Sequence, residues 1–257
     1  MVPRYWLAPL SLFVLQHVPI AVVPDSSGRY RIAVGGAFGS YRERLVSCAG
    51  DLLDREQVPF RTFGGEVEAW VSPTVRITGH AGWMSATPAE GGRIARPFQG
   101  FFGGAMVAAE GEKIGAGLGL SAAPAGANSS TGTGTRAAAL GYLRLGRLDN
   151  THFRVGVGGP ATPGGPPDLV RVGIGRGLGR VRRVGWELYT GAADFPITGP
   201  DLVAGGQILF PVGSVFDLGL TGAYRAPSGG SVGVVVRVGF RGSALGTRHS
   251  ALGLTKP

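Results

Sequence analysis

Cysteine is almost missing from this chain of 257 residues, and Cys48 is its only representative. An internal disulfide framework is excluded, and so is a cysteine-based zinc cluster. Lysine is nearly as scarce: Lys113 and Lys256 are the only two, so 25 − 2 = 23 of the basic residues are arginine. Charged residues of either sign make up only 16% of the chain, which argues against a charged disordered segment and against a helical bundle with a solvated face. The net charge of +9 invites a nucleic-acid reading. Apart from "RVRR", Arg180 to Arg183, the arginines are scattered, and no zinc-finger spacing or RNP-like aromatic motif accompanies them, so no nucleic-acid partner is expected. Long apolar runs are also absent beyond the N-terminal region, where no stretch approaches the roughly 18 residues a membrane-spanning helix needs. If this chain crosses a membrane, it does so as strands.

Glycine is abundant, with 47 residues, and fits an all-β chain with many turns. Near the N-terminus, Arg4 precedes the largely apolar "YWLAPLSLFVLQHVPIAVV", Tyr5 to Val23, in the layout of a secretory signal peptide. Cleavage is expected at about residues 21 to 28 by that layout.

Alternation dominates the rest of the chain. In "FGGEVEAWVSPTVRITGHAGW", Phe63, Gly65, Val67, Ala69 and Val71 share one strand face, and Val75, Ile77, Gly79, Ala81 and Trp83 share one on the next. For both faces to lie on the same side of a sheet, opposed residues must sum to an even number. Val71 then faces Val75, Trp70 faces Arg76, and Glu66 faces His80. The pattern recurs as twelve strands, at roughly 29–41, 61–71, 74–84, 98–109, 113–122, 135–146, 152–158, 168–178, 182–191, 201–210, 214–224 and 230–240. Ten or fourteen strands also fit, because residues 98–122 alternate poorly. Several strands match the nine to eleven or so residues that a tilted strand needs to cross a bilayer core. The odd-numbered connections, including "RERLVSCAGDLLDREQVPF", "SATPAEGGRIARP" and "APAGANSSTGTGT", read as long loops, while "SP", "EGEK", "LDN" and "FPVG" read as tight turns.

By signal segment, hairpin pattern and the final strand "GSVGVVVRVGF", which ends on Phe240, the chain resembles bacterial outer-membrane β-barrels. The resemblance implies a single antiparallel transmembrane β-barrel with short periplasmic turns and long extracellular loops. It also implies localisation in the outer membrane of a Gram-negative bacterium, contact with outer-membrane lipid, and a last strand read by the barrel-assembly machinery. The expected organisation is a signal peptide at 1–28, a barrel at 29–240 and a C-terminal tail at 241–257. That tail departs from the family pattern, and a secreted soluble β-protein is the competing fold. Tyr30, Trp70, Trp83, Phe153, Trp186, Phe210, Phe216 and Phe240 fall where interfacial aromatic girdles are expected, although Trp70 has lumenal parity.

No catalytic constellation emerges. The glycines of "GIGRGLG", Gly173 to Gly179, alternate strictly and precede no helix, so they cradle no phosphate. His80 faces inward beside Glu66, away from lipid, and no G-x-S-x-G elbow exists. An enzyme is not expected, and neither a cofactor nor a metal is implied. Parity sends Glu66, Glu68, Arg76, His80, Arg144, Arg154, Arg171, Glu187, Asp217 and Arg237 into the lumen, since an arginine at the lipid midplane costs about 2–4 kcal/mol. Arg76, Arg144, Arg154 and Arg237 are expected near the periplasmic mouth, with Glu66, Glu68 and Glu187 nearer mid-height. Such a ring would favour small anionic solutes. Lumenal Gly64, Gly115, Gly117, Gly119 and Gly156 would leave them room. Three functions remain: passive passage or binding of small solutes; a closed structural or adhesive barrel acting through its loops; and a lipid-modifying enzyme.

Overall fold

The computed structural model describes residues 30–46, 52–87, 97–124, 135–148, 150–160, 169–177, 184–193, 201–212, 216–226 and 229–240. The expected signal peptide, Cys48 and the C-terminal tail lie outside these residues. Among them are twelve strands: β1 (Tyr30–Val46), β2 (Leu52–Trp70), β3 (Val75–Ala86), β4 (Phe98–Glu110), β5 (Ile114–Pro124), β6 (Thr135–Leu145), β7 (Thr151–Pro160), β8 (Leu169–Arg176), β9 (Gly185–Ala193), β10 (Asp201–Val212), β11 (Phe216–Ala226) and β12 (Gly229–Phe240). Each strand is antiparallel to its chain neighbours, and β1 pairs with β12 to close the barrel. Closure leaves no edge within the ring, the condition under which strands can satisfy their backbone groups in hydrocarbon.

The alternation of the sequence becomes two surfaces. Val67, Ile77, Val155, Val172, Leu218 and Val236 all point outward and are exposed, as are Phe101, Leu118 and Leu120. So wide a continuous apolar exterior is expected of a surface solvated by lipid. Trp83 packs edge-on against Phe101 at 4.8 Å between ring centroids, and Phe153 and Phe216 are also exposed on the exterior. Trp70 belongs to no girdle; it is buried inside the barrel.

The β2–β3 turn has the expected register. Glu66 pairs with His80 and Trp70 with Arg76, and the Val71 N–H donates to the Val75 carbonyl at 3.0 Å. Ser72 Oγ accepts from the Val75 N–H at 3.0 Å, a local side-chain bond that tightens the turn.

The first hairpin differs from expectation. Most of "RERLVSCAGDLLDREQVPF" is strand, because β1 and β2 stay paired from Tyr30↔Ala69 to Val46↔Leu52. β12 accompanies β1 only as far as Tyr41, and β3 accompanies β2 only as far as Phe60. A two-stranded ribbon therefore stands beyond the rim. Apolar alternation is needed only where a strand meets lipid, so this charged segment pairs without showing it. The β11–β12 connection is likewise short, since β11 ends at Ala226 and β12 begins at Gly229.

Candidate functional site

The interior-facing residues at the short-turn end form a connected ionic network. Arg76, the second residue of β3, donates through Nη1 to Glu68 Oε2 on β2 at 3.1 Å and through Nη2 to Glu110 Oε1 on β4 at 3.2 Å. Glu110 also accepts from the Tyr142 hydroxyl at 2.5 Å and from Arg144 Nε at 3.0 Å, both on β6. Arg144 caps two turns as well, donating to the carbonyls of Gly111, at 2.7 Å, and Gly146. The guanidinium of Arg154, on β7, lies 4.8 Å from the Tyr142 ring centroid and donates to both carboxylate oxygens of Glu187, on β9, at 3.3 and 3.1 Å. Gln207, on β10, completes the chain by donating to Glu187 at 3.1 Å. Elsewhere around the interior face, Arg31 of β1 lies 3.6 Å from Asp217 of β11. Arg237 shares a register row with Asp217 and Ala33.

This geometry corrects the arginine ring. Glu68 and Glu187 are not set apart at mid-height; they sit within ion-pair distance of Arg76 and Arg154. Arg76, Arg144 and Arg154 are matched by Glu68, Glu110 and Glu187, so the group carries no excess positive charge. Glu66 and His80 face each other one row above Glu68 and Thr78, and both are half-buried. Arg171 is interior and buried on β8, against the Tyr189 ring.

The lumenal glycines leave less room than expected, because neighbouring side chains lie over them. A Cβ on Gly115 would overlap Glu110 and Arg144, one on Gly117 would overlap Tyr142, and one on Gly156 would press on Arg171. Gly64 and Gly82 sit under the Phe102 ring in the same way. With those positions covered, the Arg76 and Arg144 side chains are 0% exposed.

Residues 146–148, after β6, fold over the same end. Gly146 takes a left-handed backbone conformation (φ 105°), which turns the chain sharply after Arg144. Leu148 is buried with Trp70 of β2, several strands away around the wall, and its carbonyl accepts from the Gly177 N–H at 2.8 Å. Turn contacts and ion pairs thus crowd the interior at this end of the barrel.

Glu110 and Tyr142 were missed by sequence reasoning although their signal was present. Glu110 continues the inward series Met106, Ala108, and Tyr142 shares parity with Arg144. Among the described residues, no group of His, Cys, Asp and Glu is arranged to hold a metal.

No protein-family model and no curated protein matches this sequence. Solved structures do. The translocator domain of the autotransporter NalP from Neisseria meningitidis is 13% identical with a TM-score of 0.52, covering 90% of this chain and 92% of that one. An outer membrane channel from Pseudomonas putida F1 is 8% identical with a TM-score of 0.55, covering 86% of this chain and 100% of that one. The chain has the fold of the bacterial outer-membrane β-barrels, and its exposed apolar belt is the surface that meets lipid in such a fold.

Proposed function

We propose that this outer-membrane barrel serves the passive passage or binding of small solutes and that its lumen, shut at the short-turn end, is built to reopen. One observation carries the reading: the closure is ionic. Burying an ion pair costs desolvation comparable to its attraction, so a barrel that needed only to be filled would be filled more stably by apolar side chains. This chain does that elsewhere, at Phe60, Met84 and Phe102. Pairs that gain little by being dry lose little by being wetted, so Arg76, Glu110 and Arg144 can hydrate and part. The turn bearing Leu148, held to the far wall by Trp70 and to the end of the nearby β8 by one backbone hydrogen bond from Gly177, is the part that would move. The shared fold with an outer membrane channel supports placing the protein among channels. The neutral network removes the ground for a general preference for anions. The lipid belt and a final strand ending on Phe240 support the lipid and assembly-machinery partners. Catalysis has no part in this reading, and phospholipid hydrolysis by the pure protein would count against it.

The test is single-channel recording in planar bilayers. Wild type should be silent or open only briefly, whereas Leu148→Gly and Trp70→Ala, which release the turn, should conduct for most of the record. The rival reading is a closed structural or adhesive barrel, favoured by the same full burial of Arg76 and Arg144. Silence in both folded variants would establish that rival.

A further inference from the structure

Arg171 stands apart from the paired arginines of the network. Its side chain is buried on the interior face of β8, yet among the described residues it has no hydrogen bond and no carboxylate within ion-pair distance. Its guanidinium carbon lies 5.4 Å from the centroid of the Tyr189 ring, its stem covers Gly156, and Glu187 and Arg154 are near enough to act on its charge. Tyr189 is buried too, and its hydroxyl has no hydrogen-bond partner. Glu187 stands nearby, two residues before Tyr189 on β9, but its oxygens are already taken by Arg154 and Gln207. Arg154, Arg171 and Glu187 together therefore hold one positive charge in excess.

The surroundings keep other side chains away. Arg171 is flanked in register by Gly156 on β7 and Gly191 on β9, and Tyr189 by Gly173 on β8 and Gly205 on β10. A guanidinium offers five N–H donors in a planar fork suited to two oxygens, and a phenol offers one O–H. Leaving the Tyr189 O–H buried without an acceptor, beside one positive charge that Glu187 shares with Arg154 and does not fully balance, is costly. The place fits a group that the described residues do not supply.

We propose that Arg171 and Tyr189 form a lumenal binding site for the oxyanion group, carboxylate or phosphate, of a small solute. Arg171 takes two oxygens of the group, and the Tyr189 hydroxyl donates to one of them. The site lies next to the neutral network, so it selects by one fixed contact and not by a ring of charge. This inference rests on the reading that solutes enter the lumen, and it adds the chemistry by which they are held there.

The experiment is isothermal titration calorimetry on the purified barrel in detergent micelles, with benzoate, inorganic phosphate and, as the uncharged counterpart of benzoate, benzyl alcohol. Benzoate or phosphate should bind saturably, and the tighter of the two identifies the oxyanion as carboxylate or phosphate. Arg171→Gln should weaken that binding at least about tenfold, as expected for lost hydrogen bonds to a charged group. Tyr189→Phe should weaken it less, and Arg61→Gln, which removes a charge from the outer face of β2, should leave it unchanged. Circular dichroism identifies folded variants. Binding of neither anion, equal binding by folded Arg171→Gln, or equal affinity for benzyl alcohol would overturn the proposal. Equilibrium binding needs no transit. A barrel that binds benzoate but stays silent in every bilayer recording would retain this site and lose the passage reading, and a conducting barrel that binds neither anion would do the reverse.

Discussion

Two levels of the wall formed by β2, β3 and β4 are both buried, and by opposite means. Toward the short turns the interior rows are Trp70, Arg76 and Ala108, then Glu68, Thr78 and Met106, with Glu110 beyond. Toward the long loops they are Gly64, Gly82 and Phe102, then Thr62 and Met84, then Phe60 and Ala86. The lower level is held by charge-assisted hydrogen bonds and the upper by apolar contact. Between them lies the half-buried row of Glu66, His80 and Gly104. One strand pattern thus carries two kinds of interior, because parity decides only that a residue faces inward, and side-chain chemistry decides what can happen there. The apolar level resists water, whereas the ionic level is the one proposed to admit it.

The largest way to break this comparison is Glu110→Ala, which strips a shared carboxylate from Arg76, Tyr142 and Arg144 and leaves two guanidiniums buried. Removing one member of a buried ion pair costs about 3–5 kcal/mol. Chemical unfolding in lipid vesicles should register that loss. A change below about 1 kcal/mol, the range of exposed pairs, would mean that water already reaches the lower level.

Met84→Ala probes the upper level and should cost slightly less, about 2–4 kcal/mol, through lost burial and the cavity left behind. Its cost should be the same in low and high salt, because no charge is involved. A clear salt dependence at Met84 would show the upper level to be wet.

The smallest effect belongs to the boundary. Glu66 and His80 are directly opposed across strands, and such a pair contributes roughly 0.2–1 kcal/mol. A double-mutant cycle with Glu66→Gln and His80→Gln should show coupling of that size. Strict additivity would indicate that the two side chains act independently and that the row is a gap and not a join.

The short range of the sequence rules explains what could be read from the chain alone. Alternation, with turn signals, placed ten of the twelve strands, β3 to β12, within about three residues of their observed limits, because lipid outside and lumen inside impose opposite demands on successive residues. It failed at the tip of the first hairpin, where "RERLV" and "LLDREQ" pair beyond the membrane and no face need be apolar. Parity also put Arg76, Arg144 and Arg154 inside, but it holds no information about distance across the lumen. That Arg76 of β3 reaches Tyr142 of β6, or that Leu148 reaches Trp70, depends on barrel curvature and turn shape. Glu110 was hidden for a simpler reason: its place beside "GEK" made it look like part of the turn.

Closure of the ring by β1 and β12 has a consequence in time. Eleven seams join strands adjacent in the chain, whereas the twelfth sets Tyr30 against Phe240, 240 − 30 = 210 positions away. Contacts so distant in sequence form slowly, since a long loop must be closed before they reward it. Until the last twelve residues of the barrel arrive, β1 and β11 each present a row of unpaired backbone donors and acceptors that hydrocarbon does not tolerate. Closure of this ring therefore waits on its last strand, and a chain lacking β12 would leave both of those rows without the partner they have here.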